Sequence, residues 1–314
     1  MSIRTSTWNQ YSTYIRKWFR FSEKRKTSPS NPTLSDILYF LDSQKGSSHS
    51  KVTTARAALT FLFTCWDNNI LQTNEPLVAK FIKGLWNQNP DLPGKTPVWN
   101  PARLLSHVKQ NKIIETEDFL LLSQTTVTLL ALATAARVQT LAALNIDTLQ
   151  IMEDNSYIFP INVPLKTSSV SNHLVEVRIH PFTDETLCPV SFLEKYISKT
   201  SSLRSNNNSN LFISTQKPYS KVSQQTLSRW IKTCLKNAGI QDKAHSIRAS
   251  STSAVFFSKL PVDKIIQKAG WTSESTFAKY YKRPLLESGE FQNKLYLSSL
   301  LPSGDDEKTQ DRNG

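Results

Sequence analysis

Apolar positions recur at helical spacing through the first ninety residues of the chain. Trp8, Tyr11, Ile15 and Trp18 fall on one face of an opening helix, with basic residues between them. Three further helices are predicted over 34–41, with Thr33 or Ser35 as the cap, and over 50–66 and 76–86. Proline and glycine then crowd the stretch 89–97, where a helix cannot continue. The pattern therefore predicts a helical first domain that ends there.

The second part of the chain changes from helical to strand periodicity and back again. Helices are predicted over 102–109 and 115–136, followed by strands over 157–159, 162–166 and 175–179, where Val175, Val177 and Ile179 alternate with polar residues. Helices resume over 189–199, 223–238, 245–257, 262–269 and 274–282. We therefore predict a mainly α fold with a small antiparallel β-sheet (α+β). Its parts are a domain over 1–89, a linker over 90–99, a domain over 100–302 and a disordered tail over 303–314.

Charge narrows the class of partner. The chain carries 38 Lys and Arg against 25 Asp and Glu, a net charge of +13, which favours a polyanionic partner such as nucleic acid. Cys65, Cys188 and Cys234 are isolated, so neither a disulfide framework nor a metal site is predicted. No apolar run approaches the roughly 18 residues that span a membrane. We expect a soluble, intracellular protein.

The strongest local motif is His245-Ser246-Ile247-Arg248 at the start of a predicted helix. His245 and Arg248 are three residues apart and should share a face near free backbone N–H groups, an arrangement that suits an anion. Arginine binds phosphate well because it is permanently charged and can hold two oxygens at once. Taken alone, the motif is more typical of an incidental His and Arg on a solvated helix end.

The order of residue types along the chain makes the motif informative. Arg137 follows an apolar helix, Lys166 lies at the tip of the predicted hairpin, and Gly270-Trp271 and Tyr280-Tyr281 follow the His-x-x-Arg motif. This series resembles the tyrosine recombinase or phage integrase superfamily over roughly residues 100–300. The first part is similar to that superfamily's helical, SAM-like core-binding domain. The segment 245–284 looks most like recombinases of DIRS-type mobile elements.

The resemblance implies a role for each residue in cutting and rejoining DNA. Arg137 and Arg248 would hold the scissile phosphate, His245 would bond one of its oxygens or assist proton transfer, and the Trp271 indole N–H would donate to it. Lys166 would protonate the departing 5′ oxygen, and a tyrosine would form a 3′-phosphotyrosine link. Bond energy is conserved in that link, so neither a metal nor ATP is implied as a cofactor.

Two positions depart from the superfamily's pattern. Many members carry an acidic residue three positions after the first arginine, where this chain has Thr140. The nucleophile is also doubled: a spacing of nine residues from Trp271 selects Tyr280, whereas the Phe-Tyr pattern of DIRS-like relatives selects Tyr281. Adjacent helix residues point about 100° apart, so only one of the two can reach the phosphate. Tyr281 is preferred.

The partners follow from the same resemblance. Double-stranded DNA is expected, bound by a homo-oligomer, most simply a tetramer on two duplexes, with the segment 287–300 either exchanged between protomers or packed in cis. The protein would act in the nucleus if it is eukaryotic. Two alternatives stay open, a type IB topoisomerase and a catalytically inactive DNA-binding protein derived from a recombinase. Phosphate contacts in the first domain are predicted for Arg16, Lys17, Arg20, Lys51 and Arg56.

Overall fold

The chain forms two compact units, residues 1–94 and 95–314. The division falls within the stretch 90–99. The computed structural model describes residues 3–44, 49–66, 75–88, 90, 97–166, 168, 173–205, 208–271 and 274–285. The segment 287–300 and the predicted tail over 303–314 lie outside these residues. None of the described helices has the length and apolar character that crossing a membrane requires.

Unit 1 is helical in all its described regular elements. Its helices are α1 (Thr5–Arg25), α2 (Leu34–Ser43), α3 (His49–Cys65) and α4 (Pro76–Gln88). Trp18 of α1 is fully buried at their centre, where its ring meets Phe40 edge-on at 5.2 Å and Phe63 at 6.0 Å. Its indole N–H donates to the Pro29 carbonyl at 3.0 Å, which satisfies the ring's one polar atom.

Local capping explains where the second helix begins. The Thr33 hydroxyl accepts the backbone N–H of Asp36, and the Asp36 carboxylate accepts the backbone N–H of Thr33. Upstream, α1 ends because Lys26 takes a left-handed conformation, with φ at 55°, and bonds back to the last carbonyls of the helix. The predicted start of α2 behind Thr33 is confirmed.

Unit 2 is also mainly helical. Its helices are α5 (Pro101–Gln110), α6 (Phe119–Thr134), α7 (Val138–Leu141), α8 (Pro189–Ser201), α9 (Gln224–Asn237), α10 (Ser246–Phe257), α11 (Val262–Ala269) and α12 (Glu274–Tyr280). Short 3-10 turns span Ile113–Glu115 and Ile146–Thr148. Most of α6 is buried, and it packs against α8, α9 and α10.

The single helix predicted over 115–136 is wrong at both ends. A separate 3-10 turn occupies Ile113–Glu115, and α6 begins only after Asp118, whose carboxylate accepts the N–H groups of Leu120 and Leu121. At the other end, Ala135 turns left-handed, with φ at 51°, and ends the helix. Apolar periodicity continues through both breaks, so it could not reveal them.

The sheet has three antiparallel strands in the order β1 (Gln150–Ile151), β2 (Tyr157–Pro160) and β3 (Glu176–Ile179). Tyr157 pairs with Ile179 and Phe159 with Val177. The prediction of a small antiparallel sheet in a mainly helical fold is therefore confirmed. The two-residue β1 was missed because it is too short to show alternation.

The predicted strand over 162–166 is wrong. These residues belong to the connection between β2 and β3, which includes Pro164, a residue without an N–H to donate. The backbone N–H of Leu165 bonds to the Ser168 hydroxyl, and that of Lys166 bonds to the Gln139 side chain. Their main-chain donors therefore bond to side chains instead of a neighbouring strand.

Replacing Trp18 with alanine should destabilise unit 1 by about 3–5 kcal/mol, because the change leaves a large cavity among aromatic rings. Hydrogen exchange of the α1–α3 amides measures the loss. Leu77→Ala on α4 is the control, since Leu77 is exposed and its loss should cost within about 0.5 kcal/mol. Equal protection in the two variants would contradict the assignment of Trp18 as the centre of this core.

Candidate active site

The guanidinium of Arg248 joins three segments that are distant in the sequence. Arg248 lies in the first turn of α10 and is only 4% exposed. Its Nη1 donates to the carbonyl of Ala135 at the end of α6, and its Nη2 donates to the carbonyl of Ala269 at the end of α11, each at 2.5 Å. These bonds fix the orientation of the planar guanidinium.

Two turns bring other predicted residues to this guanidinium. After Ala135, the chain passes to Arg137, a half-buried residue in extended conformation directly before α7. After Ala269, Gly270 takes a φ of 62°, a conformation that strains any residue with a side chain. That turn places the indole of Trp271 against Arg248, whose Cζ lies 4.5 Å from the ring centroid.

Tyr281 completes an aromatic and cationic stack. Its ring centroid is 4.4 Å from that of Trp271, with an interplanar angle of 34°, and 5.4 Å from Arg248 Cζ. Tyr281 is half-buried and lies one residue beyond α12. Tyr280 is the last residue of that helix, and its side chain lies outside the described part of the chain.

A cavity of about 940 Å³ opens beside this stack. Arg137, Lys166, Arg248 and Trp271 all line it, so it gathers four of the seven residues predicted to be catalytic. Its described lining contains six cationic side chains and the single carboxylate of Glu176. The six are Arg137, Lys166, Arg178, Arg248, Lys264 and Lys268. This balance suits an anion.

Burial and like charge act on the cations of this cavity. Burial is the main cause that lowers the pKa of Arg248, the positive charge of Arg137 lowers it further, and Tyr281 opposes the shift. Burial, followed by the charge of Arg178, also lowers the pKa of Lys268. Both shifts have the direction expected for cations placed together away from water, and a bound anion would oppose them.

Two buried donors at the stack have no hydrogen-bond partner among the described residues. They are Nε of Arg248 and Nε1 of Trp271. An unpaired buried donor costs about 1–3 kcal/mol, so folded proteins seldom keep one without a reason. Since the two residues are in contact and both line the cavity, the pair is suited to donate to the oxygens of an anion.

Lys166 is tied to the turn that carries Arg137. It lies in the connection between β2 and β3 and is exposed. Its backbone N–H donates at 2.9 Å to the side-chain oxygen of Gln139, two residues after Arg137. The position three residues after Arg137 holds Thr140, which is buried and lines the cavity. Thr140 therefore places a hydroxyl at the position where many members of the tyrosine recombinase superfamily carry an acidic residue.

His245 is not among the described residues that line the cavity. It directly precedes α10 and is exposed, whereas Arg248 is buried. The two residues therefore differ in exposure and in contact with the cavity, and the role of His245 stays a prediction. The predicted phosphate contacts of unit 1 lie on α1 and α3; all but the half-buried Arg56 are exposed, and they are Arg16, Lys17, Arg20, Lys51 and Arg56.

Sequence reasoning missed several cavity residues. Gln139 positions Lys166, and Arg178 adds a cation from β3. Lys264 and Lys268 are four residues apart on α11, which places them on one face of that helix. The spacing of the two lysines could have been recognised in the sequence. It predicts that they share a helix face, but it does not predict which part of the fold that face contacts.

Comparison with known proteins assigns the chain to a family. The model of the phage integrase family matches residues 103–285, which include every residue of the stack, and the chain belongs to this family. No curated protein sequence matches the chain.

Solved structures share the fold at low sequence identity. A structure of the XerH site-specific recombinase bound to palindromic difH substrate, in a post-cleavage complex, has a TM-score of 0.61 and 17% identity over 93% of this chain and 79% of that chain. The Tn1549 transposon integrase in complex with transposon right end DNA has a TM-score of 0.59 and 12% identity over 95% of each chain. A lambda integrase tetramer bound to a Holliday junction has a TM-score of 0.51 and 15% identity over 89% and 72%.

Arg248→Lys should destabilise unit 2 by about 2–4 kcal/mol, because lysine cannot bond both carbonyls in a fixed plane and also stack on Trp271. Chemical unfolding followed by fluorescence measures the change. Arg229→Lys is the matched control, since Arg229 is exposed on α9 and should cost within about 0.5 kcal/mol. If the two variants are equally stable, Arg248 does not hold the three segments together.

Proposed function

We propose that this protein cleaves and rejoins DNA strands through a 3′-phosphotyrosine intermediate, in site-specific recombination or integration of a mobile element. One observation carries the proposal: Arg248 and Trp271 contact the ring of Tyr281 and line a cavity rich in cations, and each keeps a buried donor that has no partner among the described residues. Membership of the phage integrase family supports it.

The cavity's charges suit a phosphodiester that becomes pentacovalent. Arg137 and Arg248 would neutralise its non-bridging oxygens, and the unpaired donors of Arg248 and Trp271 would bond to them. The donors are already buried and oriented, so little reorganisation is needed as charge develops. His245, at the start of α10, would assist from the rim or take up the tyrosine proton.

The reaction exchanges one ester bond for another. The Tyr281 oxygen would attack phosphorus, a tyrosine–phosphate bond would form, and the bond from phosphorus to the 5′ oxygen would break. Lys166 would protonate the leaving oxygen. A 5′-hydroxyl of a second strand would then attack the phosphotyrosine and release the enzyme. Each step conserves a phosphate ester, so the chemistry needs neither ATP nor a metal.

The contact of Tyr281 with Trp271 and Arg248 supports Tyr281 as the nucleophile. The basic residues of α1 and α3 would contact the duplex from unit 1. The solved lambda integrase tetramer on a Holliday junction and the transposon integrase support a homo-tetramer acting on two duplexes for a mobile element. A DIRS-type element is proposed only on the resemblance of the segment 245–284. The protein would act wherever its DNA lies, in the nucleus if the host is eukaryotic.

A DNA substrate nicked close to the cleavage site tests the proposal. After cleavage, the short fragment between the cleavage site and the nick, which carries the released 5′-hydroxyl, diffuses away. Religation is then prevented, so the covalent complex accumulates. Wild-type protein should form it, and mass spectrometry of the DNA-linked peptide identifies the tyrosine. Failure to form any complex while binding the DNA would favour an inactive DNA-binding protein, and relaxation of supercoils without recombinant products would favour a topoisomerase.

Tyr281→Phe should abolish the covalent complex, because it removes the attacking oxygen while keeping the ring against Trp271. DNA binding should stay within about twofold, since the cationic groups are unchanged. Tyr280→Phe is the matched control and should retain the complex. The reverse pattern would assign Tyr280 as the nucleophile.

Lys166→Ala should slow cleavage by about 10²-fold or more if Lys166 protonates the leaving oxygen. A substrate with sulfur in place of that bridging 5′ oxygen should be cut at nearly the wild-type rate, because a thiol has a pKa of about 8.5 and leaves without a proton donor. Lys232→Ala, an exposed residue on α9, should cleave both substrates normally. Equal slowing of Lys166→Ala on the two substrates would exclude this role.

A further inference from the structure

Helix α10 presents two chemically different faces. Arg248 reaches the carbonyls of Ala135 and Ala269 beside the cavity. Three buried serines follow a spacing of four and three residues, which places them together on another face of the helix. They are Ser246, Ser250 and Ser253.

The first two of these serines bond to Trp99. The Ser246 hydroxyl accepts the indole N–H of Trp99 at 2.8 Å, and the Ser250 hydroxyl donates to the Trp99 carbonyl at 2.6 Å. These bonds join α10 to the segment that leads into unit 2. They do not involve the segment that carries Tyr281.

Ser253 instead bonds twice to the chain around Tyr281. Its hydroxyl donates to the Tyr281 carbonyl at 2.6 Å and accepts the backbone N–H of Arg283 at 3.1 Å. Ser253 has no exposed surface, so both capacities of the hydroxyl are used inside the protein. The same segment is bonded on its far side, where Val98 N–H donates to the Pro284 carbonyl at 2.8 Å.

The Ser253 hydroxyl provides a hydrogen-bond donor for the Tyr281 carbonyl, which helix α12 does not provide. Tyr281 lies just past the end of α12, where carbonyl groups have no partner in the following turn. Its own N–H bonds back to Phe277 at 2.9 Å, but its carbonyl has to be satisfied by another part of the chain. A small shift in this main chain would move the phenol relative to Arg248 and Trp271, and misplacement by about 1 Å can cost 10²-fold in rate.

We propose that Ser253 is a positioning residue that fixes the main chain of the Tyr281 nucleophile from the same helix that carries Arg248. The proposal rests on the function proposed above. It makes α10 the common support of the phosphate-binding arginine and of the attacking group. Their separation is then set within one rigid element and a pair of hydrogen bonds.

Ser253→Ala and Ser250→Ala form a matched pair for the test. Each removes a buried hydroxyl that donates at 2.6 Å to a backbone carbonyl, and Ser253→Ala also removes the acceptor of the Arg283 N–H, so the thermal midpoint is compared for both variants. Only Ser253 touches the Tyr281 segment. The measurement is the single-turnover rate of covalent-complex formation at saturating nicked DNA, together with the dissociation constant for that DNA and the thermal midpoint of each variant.

Ser253→Ala should slow cleavage 10- to 100-fold relative to Ser250→Ala, while DNA affinity stays within about twofold. Equal cleavage rates in the two variants would overturn the proposal, as would a rate loss matched by an equal loss of affinity. If Ser253→Ala does not fold, Ser253→Cys decides, because the thiol keeps the volume but is a weaker hydrogen-bonding group. A wild-type rate in Ser253→Cys would then overturn the proposal, and a slowed rate with unchanged affinity would support it.

The control also separates this proposal from the function on which it rests. If the wild-type protein forms no covalent complex, the proposed function fails. If the wild type and Ser250→Ala both form the complex and Ser253→Ala forms it just as fast, only the positioning role fails.

Discussion

A permanently charged guanidinium lies almost fully buried in unit 2, where it donates hydrogen bonds to two backbone carbonyls, neither of which carries a negative charge. Carbonyls orient the Arg248 cation without cancelling its charge, and the Trp271 face adds a cation–π contact with the same property. Through these bonds Arg248 joins the end of α6, the start of α10 and the end of α11. The fold therefore depends on a charge that it leaves available to an anion.

That arrangement is costly in the absence of an anion. Arg137 lies close enough to lower the pKa of Arg248, and two buried donors lack a described partner. Sites with a purely structural role seldom contain neighbouring like charges or unpaired buried donors, because both reduce the stability of the fold. A binding site for a phosphodiester explains them together, because its oxygens would neutralise the cations and accept from the donors. Local conflicts with stability of this kind are expected at functional sites.

Two elements, helix α10 and the β2–β3 connection, position most of the proposed catalytic groups. Helix α10 holds Arg248 on one face and bonds through Ser253 to the Tyr281 segment on another. The β2–β3 connection carries Lys166 and is tied through Gln139 to the turn that carries Arg137. A rigid helix thus supports the phosphate-binding group and the nucleophile, while an exposed loop supplies the proposed proton donor. This division suits a reaction in which the leaving strand must depart.

The sequence by itself determined the helical periodicity, the presence of a small sheet, and the ordered series Arg137, Lys166, His245, Arg248, Trp271 and paired tyrosines. Those features depend on local spacing and on residue type, which the sequence states directly. It misplaced the strand over 162–166 and the ends of α6, where side chains capture main-chain donors or the backbone turns left-handed. Only the tertiary structure decided that the Tyr281 ring meets Trp271 and Arg248, that exposed His245 lies outside the cavity lining, and that Ser253 reaches the Tyr281 main chain. Each of these depends on the direction in which a helix face turns toward a segment tens of residues away, and that direction is set by packing.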